Sequence, residues 1–218
     1  MKIDSIDDFL SAIEIGCLGL AVYVGKEPST RGASERAENV LAEINQRFEQ
    51  HGVGYQFENS QIVRVDSKLA HSEIIKPALQ LLNDPLFTKA NDEFLVAHKH
   101  YRSGSFKDCV TASNRAFESA LKAICDSEAW PYERGDRASE LVTKVTKNGL
   151  FTHDFDKSLS AYIAMLKSGL PSVRNNAGGH GQGIAAAAVT AEIARFALNL
   201  TASNVLFLGE SYRALKAR

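Results

Sequence analysis

Phe106-Lys107-Asp108-Cys109-Val110-Thr111-Ala112-Ser113-Asn114-Arg115-Ala116-Phe117-Glu118-Ser119-Ala120-Leu121-Lys122-Ala123-Ile124 decides the fold class. Phe106, Val110, Phe117, Leu121 and Ile124 fall on one stripe of a helix turning every 3.6 residues. Upstream, residues 86–103 carry Phe87, Ala90, Phe94, Leu95, Ala97 and Tyr101 in the same pattern. Only Ser103-Gly104-Ser105 separates the two. Long helices joined by so short a turn lie antiparallel. Downstream, a loop around Pro131 leads to a predicted helix over 137–147, closed by Asn148-Gly149. Another covers 154–168, ended by Gly169 and Pro171, and a last one runs from about Gly183 to Leu215. The alanines of that last segment (Ala185 to Ala188, Ala191, Ala194, Ala197) permit close helix approach.

The N-terminal part is more varied. Residues 5–24 read as a helix capped by Ser5, and Gly25 to Gly32 as a loop. Ala37, Val40, Leu41, Ile44 and Phe48 line a second helix over 34–50, ended by Gly52. Tyr55-Gln56-Phe57 and Ile62-Val63-Arg64-Val65 flank Glu58-Asn59-Ser60-Gln61, which predicts a hairpin ended by Asp66-Ser67. A lone hairpin is marginal in water and must pack on helices. A helix over 72–82 holds Pro77, tolerable only near its start or at a kink. Asn83-Asp84-Pro85 marks the expected boundary between an N-terminal lobe (1–83) and a helical domain (84–218). The expected class is mainly α, a helical bundle with an N-terminal helical lobe carrying a small β-hairpin.

The chain has 218 residues, 44% of them hydrophobic and 23% charged, with a net charge of −1. No whole-molecule basic field attracts nucleic acid, so any such contact needs a local patch. Three cysteines (Cys17, Cys109, Cys125) without a C-x-x-C spacing argue against a disulfide framework or a zinc site. They read as small buried hydrophobes in a reduced, cytoplasmic setting. Met1-Lys2-Ile3-Asp4-Ser5 is acidic where a leader peptide is basic, and no apolar run reaches the roughly 20 residues of a membrane span. A soluble chain without membrane partner or cofactor is expected. His98 and His100 sit two apart on a helix and face different ways, so no metal site is expected. His51, His71 and His153 read as surface or loop histidines. Arg64, Arg102 and Arg115 read as scattered solvated charges rather than an RNA patch. Trp130 reads as a loop anchor rather than a base-stacking platform.

Chemistry concentrates in Ser172-Val173-Arg174-Asn175-Asn176-Ala177-Gly178-Gly179-His180-Gly181-Gln182-Gly183. Metal-free RNA cleavage needs a base for the 2′ proton, an acid for the leaving 5′ oxygen and a cation for the phosphorane. His180 suits the proton work, since an imidazole titrates near ~6.5. Arg174 offers a planar, permanently charged fork for phosphate. Asn175 can hold a phosphate oxygen or orient His180. Backbone N–H groups at Gly178, Gly179 and Gly181 suit an anion. One histidine in each copy of this run is a chemical reason to expect two copies. The bland alternative is a flexible inter-helix loop in which Arg174 caps carbonyls. A nucleotide loop of the Walker or Rossmann kind fails, because no Lys-Ser/Thr ending and no preceding strand are present. Glu118 stands one turn from Asn114 and from Lys122, placed either to support the site or to pair with Lys122.

Arg174-Asn175 with His180, before a long C-terminal helix, resembles the Arg–His signature of HEPN domains. Val173-Arg174-Asn175 through Gly178-Gly179-His180-Gly181 is similar to the C-terminal motif of prokaryotic abortive-infection proteins. Gly52 to Phe57, Ile62 to Asp66 and Ala116 to Ile124 resemble the same group, so the likeness covers about residues 35–215. The resemblance implies a HEPN-like bundle that forms a homodimer with the two motifs facing each other. It implies a metal-independent endoribonuclease, with Arg174, Asn175 and His180 catalytic, acting as a phage-defence or toxin-like effector. A neutralising partner is an open question. Relatives without catalysis imply the alternative of a nucleotide- or RNA-binding or protein-interaction module. Gln182 stands where one branch of the family has Tyr, so functions tied to that Tyr are not carried over.

Overall fold

The computed structural model describes residues 6–26, 33–51, 53–65, 71–151, 161, 164–165 and 189–218. The chain divides into two compact units, Met1–His71 and Ser72–Arg218. The division falls ahead of Asn83-Asp84-Pro85, because Ala78, Leu79, Leu81 and Leu82 bury in the core of the larger unit.

In the smaller unit, α1 (Ile6–Lys26) and α2 (Ala33–Gln50) enclose a hairpin of β1 (Tyr55–Glu58) and β2 (Gln61–Arg64). Helix α1 runs through Gly25, which was expected to open a loop. Leu10 and Cys17 of α1, Phe48 of α2, Phe57 and Ile62 form the core. The strands pair with Phe57 opposite Ile62 and Glu58 opposite Gln61. Asn59 (φ 47°) and Ser60 (φ 64°) turn the chain with both residues left-handed, the geometry that matches strand twist. A two-stranded sheet has two open edges, and side chains close both. The Asn45 amide accepts from Phe57 N at 2.7 Å and donates to Phe57 O at 3.0 Å. Glu14 accepts from Ile62 N at 2.7 Å. The amide thus imitates a neighbouring strand, and these three edge groups are closed to other chains.

A π-helical turn (His71–Ile75), one residue into which the larger unit begins, runs into α3 (Lys76–Leu82). Pro77 sits in the first turn of α3, directly after the π-helical turn, where a ring without an N–H meets the change of helical pitch. A 3₁₀ turn (Pro85–Phe87) capped by Asp84 leads to α4 (Thr88–Arg102). Then come α5 (Phe106–Ser127), α6 (Ala138–Lys147) and α7 (Ala191–Lys216). Helices α4 and α5 pack along their lengths, α7 packs on α5 and α4, α6 lies on α5, and α3 lies on α7. Phe94, Phe117, Leu121, Ile124 and Leu141 are fully buried at the centre. Each such side chain contributes about 1.5–3 kcal/mol by leaving water. The Ala-rich stretch was expected to start the last helix near Gly183. Residues 181–188 lie outside the described residues, but Thr190 is extended (φ −86°, ψ 165°), so α7 begins at Ala191 and does not run on from Gly183. The Glu192 carboxylate takes the Thr190 hydroxyl, which lowers its pKa and favours the start there. The helix expected over 154–168 lies for the most part outside the described residues.

Candidate functional site

Arg174, Asn175, His180, Gly178, Gly179 and Gly181 all lie outside the described residues. The described frame meets their segment at both ends. Phe151 is buried and stacks on Phe207 of α7, ring centres 5.2 Å apart and planes at 13°. Val189 packs against the same core.

Glu118 is described, and it neither pairs with Lys122 nor stands idle. Its Oε1 accepts from Asn114 Nδ2 at 2.9 Å and from the backbone N–H of Ala138 at 3.2 Å. It therefore closes one orphan donor at the N-terminus of α6, where a negative charge is also favoured. Glu140 closes another, accepting from Arg137 N at 3.0 Å; hydrogen bonds to backbone N–H groups hold its carboxyl below the usual range. Lys122 donates to Arg134 O at 3.2 Å and lies 5.9 Å over the Tyr132 ring.

A buried polar layer surrounds Asn114. Ser113, Asn114, Thr201 and Asn204 are all nearly inaccessible on α5 and α7. Thr201 donates to Ser113 O at 3.3 Å. Asn114 Oδ1 is buried without a hydrogen-bond partner, a group that costs stability where it stands. The signal for this layer was in the sequence, as polar residues at core spacing between Val110 and Phe117 and between Leu198 and Val205. Reading the stripe for apolar residues alone passed it over.

Other candidates resolve into packing. His98 is buried edge-on to Phe94, ring centres 4.7 Å apart, while His100 is half-buried on another face of α4. His71 was read as a surface or loop residue but is buried, its Nε2 3.7 Å from Glu58 Oε1. Trp130 packs on the core, and its backbone N–H closes α5 by bonding Cys125 O at 2.8 Å. All three cysteines are buried free thiols. Burial pushes the Cys109 thiol up to about 12 and raises Cys17 and Cys125 as well, so none is a ready nucleophile. No helix among the described residues is long and apolar enough to cross a membrane.

The model of the abortive-infection HEPN-like domain (Abi_C) matches residues 88–212. That span runs from the first residue of α4 to Tyr212 on α7, taking in the helical frame and the segment with the Arg174–His180 run. No curated protein and no solved structure matches the chain. With a mainly helical frame and a family match over most of it, the chain belongs to the abortive-infection HEPN-like family.

Proposed function

We propose that this chain is a metal-independent endoribonuclease that acts in abortive infection as a toxin-like effector. The observation that supports it is the family match across 88–212, which encloses Arg174, Asn175 and His180 in one short run. In this reading the RNA 2′-hydroxyl attacks the adjacent phosphorus. One His180 removes the 2′ proton and a second protonates the leaving 5′ oxygen. Arg174 holds the phosphorane charge, and Asn175 fixes a phosphate oxygen or the imidazole. The backbone at Gly178, Gly179 and Gly181 adds N–H donors to the anion. Because each chain brings one histidine to the run, the working form is a homodimer with the site at its interface. Glu118 is a positioning residue, holding α6 ahead of the motif-bearing segment. The setting is the cytoplasm, where toxicity calls for restraint by a trigger or neutralising partner.

The test is incubation of the purified protein with total RNA and a labelled tRNA pool in EDTA, beside His180→Ala and Arg174→Ala. The expected result is cleavage by wild type with 2′,3′-cyclic phosphate ends, and a loss of about 10²–10⁴-fold in His180→Ala. Cleavage that survives both substitutions sinks the assignment. No cleavage, with RNA affinity that depends on Arg174, gives the non-catalytic binding module instead.

A further inference from the structure

We propose that the cavity between the Pro85–Phe87 turn and the last turns of α7 binds a free apolar α-amino acid, a small zwitterion with an apolar side chain. The cavity measures about 270 Å³. That is the share of roughly nine waters at about 30 Å³ each, and just under the roughly 300–1,000 Å³ of pockets that take drug-sized ligands. Leu86 and Phe87 supply apolar wall, and Asp84, Arg213 and Lys216 also line it.

The charges carry the argument. Lys216 is committed, its Nζ 2.8 Å from Glu128 Oε1. Asp84 gives one oxygen to the Leu86 N–H at 2.9 Å. Its other oxygen and the Arg213 guanidinium have no partner among the described residues. An anion and a cation therefore share one cavity without pairing with each other. A ligand with both charges bridges them: its carboxylate on the Arg213 fork, its ammonium on Asp84, its side chain against Leu86 and Phe87. A ligand with one charge gains only one of these contacts, the other protein group staying in water. This site is independent of the proposed RNA chemistry.

The experiment is a ligand-observed NMR titration of the full chain with L-phenylalanine and L-leucine. 3-Phenylpropionate, which lacks the ammonium, and phenethylamine, which lacks the carboxylate, form the comparison arms. Arg213→Gln and Asp84→Asn are the variants; asparagine still caps the turn. Saturable binding of the amino acids is expected, weakened roughly three- to tenfold by each variant and by each ligand deletion, because the groups are solvent-exposed. Absence of saturable binding overturns the proposal. Binding untouched by both variants places the ligand elsewhere and also overturns it. Phenylpropionate binding as tightly as phenylalanine, with Asp84→Asn silent, overturns the zwitterion.

Discussion

The Glu118 carboxylate, midway along α5, accepts the backbone N–H of Ala138, so one helix caps the start of the next. Glu118→Ala strands that N–H and the Asn114 amide, which is bonded to the same oxygen. The expected cost is about 1–3 kcal/mol. Glu118→Gln keeps an acceptor and loses only the charge at a helix start, about 0.3–1 kcal/mol. Urea midpoints at unchanged slope measure both. Equal losses for the two variants would show that the carboxylate acts through charge rather than as the cap.

Gly209 on α7 is where α3 comes closest, since a Cβ there would run into the Leu81 side chain. Alanine in a helix interior gains up to about 1 kcal/mol over glycine, but overpacking costs about 1–3 kcal/mol. Leu81 is buried, so its side chain yields only by pressing on its neighbours; overpacking wins and Gly209→Ala destabilises. In a Leu81→Ala background the same substitution becomes neutral or stabilising. A double-mutant cycle reads this coupling, and additive effects would refute the contact.

Among the described residues, three with side chains hold left-handed backbone: Asn59, Ser60 and Ala129 (φ 54°). Ala129 follows α5 where Gly104 and Gly149 follow α4 and α6, each in the same closing bend. The left-handed state costs a side-chain residue roughly 1–2 kcal/mol, which glycine avoids. Ala129→Gly is therefore expected to raise the Tm, as is Ser60→Gly, which makes the preferred Asn-Gly hairpin turn. A fall in Tm for either would contradict the strain argument.

Glu128 joins the ends of α5 and α7, with Lys216 Nζ and Tyr212 Oη each 2.8 Å from its Oε1. The Lys216 hydrogen bond, then that of Tyr212, holds the carboxyl below its ordinary 4.5. Lys216 is raised above 10.5 by the same partner. A depressed carboxylate stabilises above its unfolded pKa, and that stability is lost as pH falls through the folded value. A raised lysine stabilises below 10.5 and loses it as pH rises through its folded value. The clasp should hold between these limits and loosen outside both. Amide exchange at the end of α7 against pH is the measurement, and Glu128→Gln should flatten its acid limb.

Much of the larger unit was legible in the sequence. The stripe through Val110, Phe117 and Ile124, and the short Ser103-Gly104-Ser105 link, foretold α4 and α5 and their packing. The hairpin was legible as well, although Glu58 and Gln61, expected in its turn, pair as the last rung of the strands. The start of α7 was not, because alanine repeats favour helix everywhere and cannot mark where one begins. Of the candidate site, Arg174, Asn175 and His180 were read as chemistry from neighbouring residue types, a local signal. The bond from Ala138 to Glu118 was not readable that way, since Ala138 lies the remaining half of α5 and a loop further along the chain.

What the sequence by itself determined here is periodic and local: which residues coil together, the helix ends at Gly104 and Gly149, and which short run carries a cation, an amide and an imidazole. Only the tertiary structure decided which polar side chain closes which backbone end: Asn45 on the β1 edge, Glu14 on the β2 edge and Glu118 on α6. Helix and turn preferences act over a few residues, whereas an orphan N–H accepts whatever acceptor packing brings within reach.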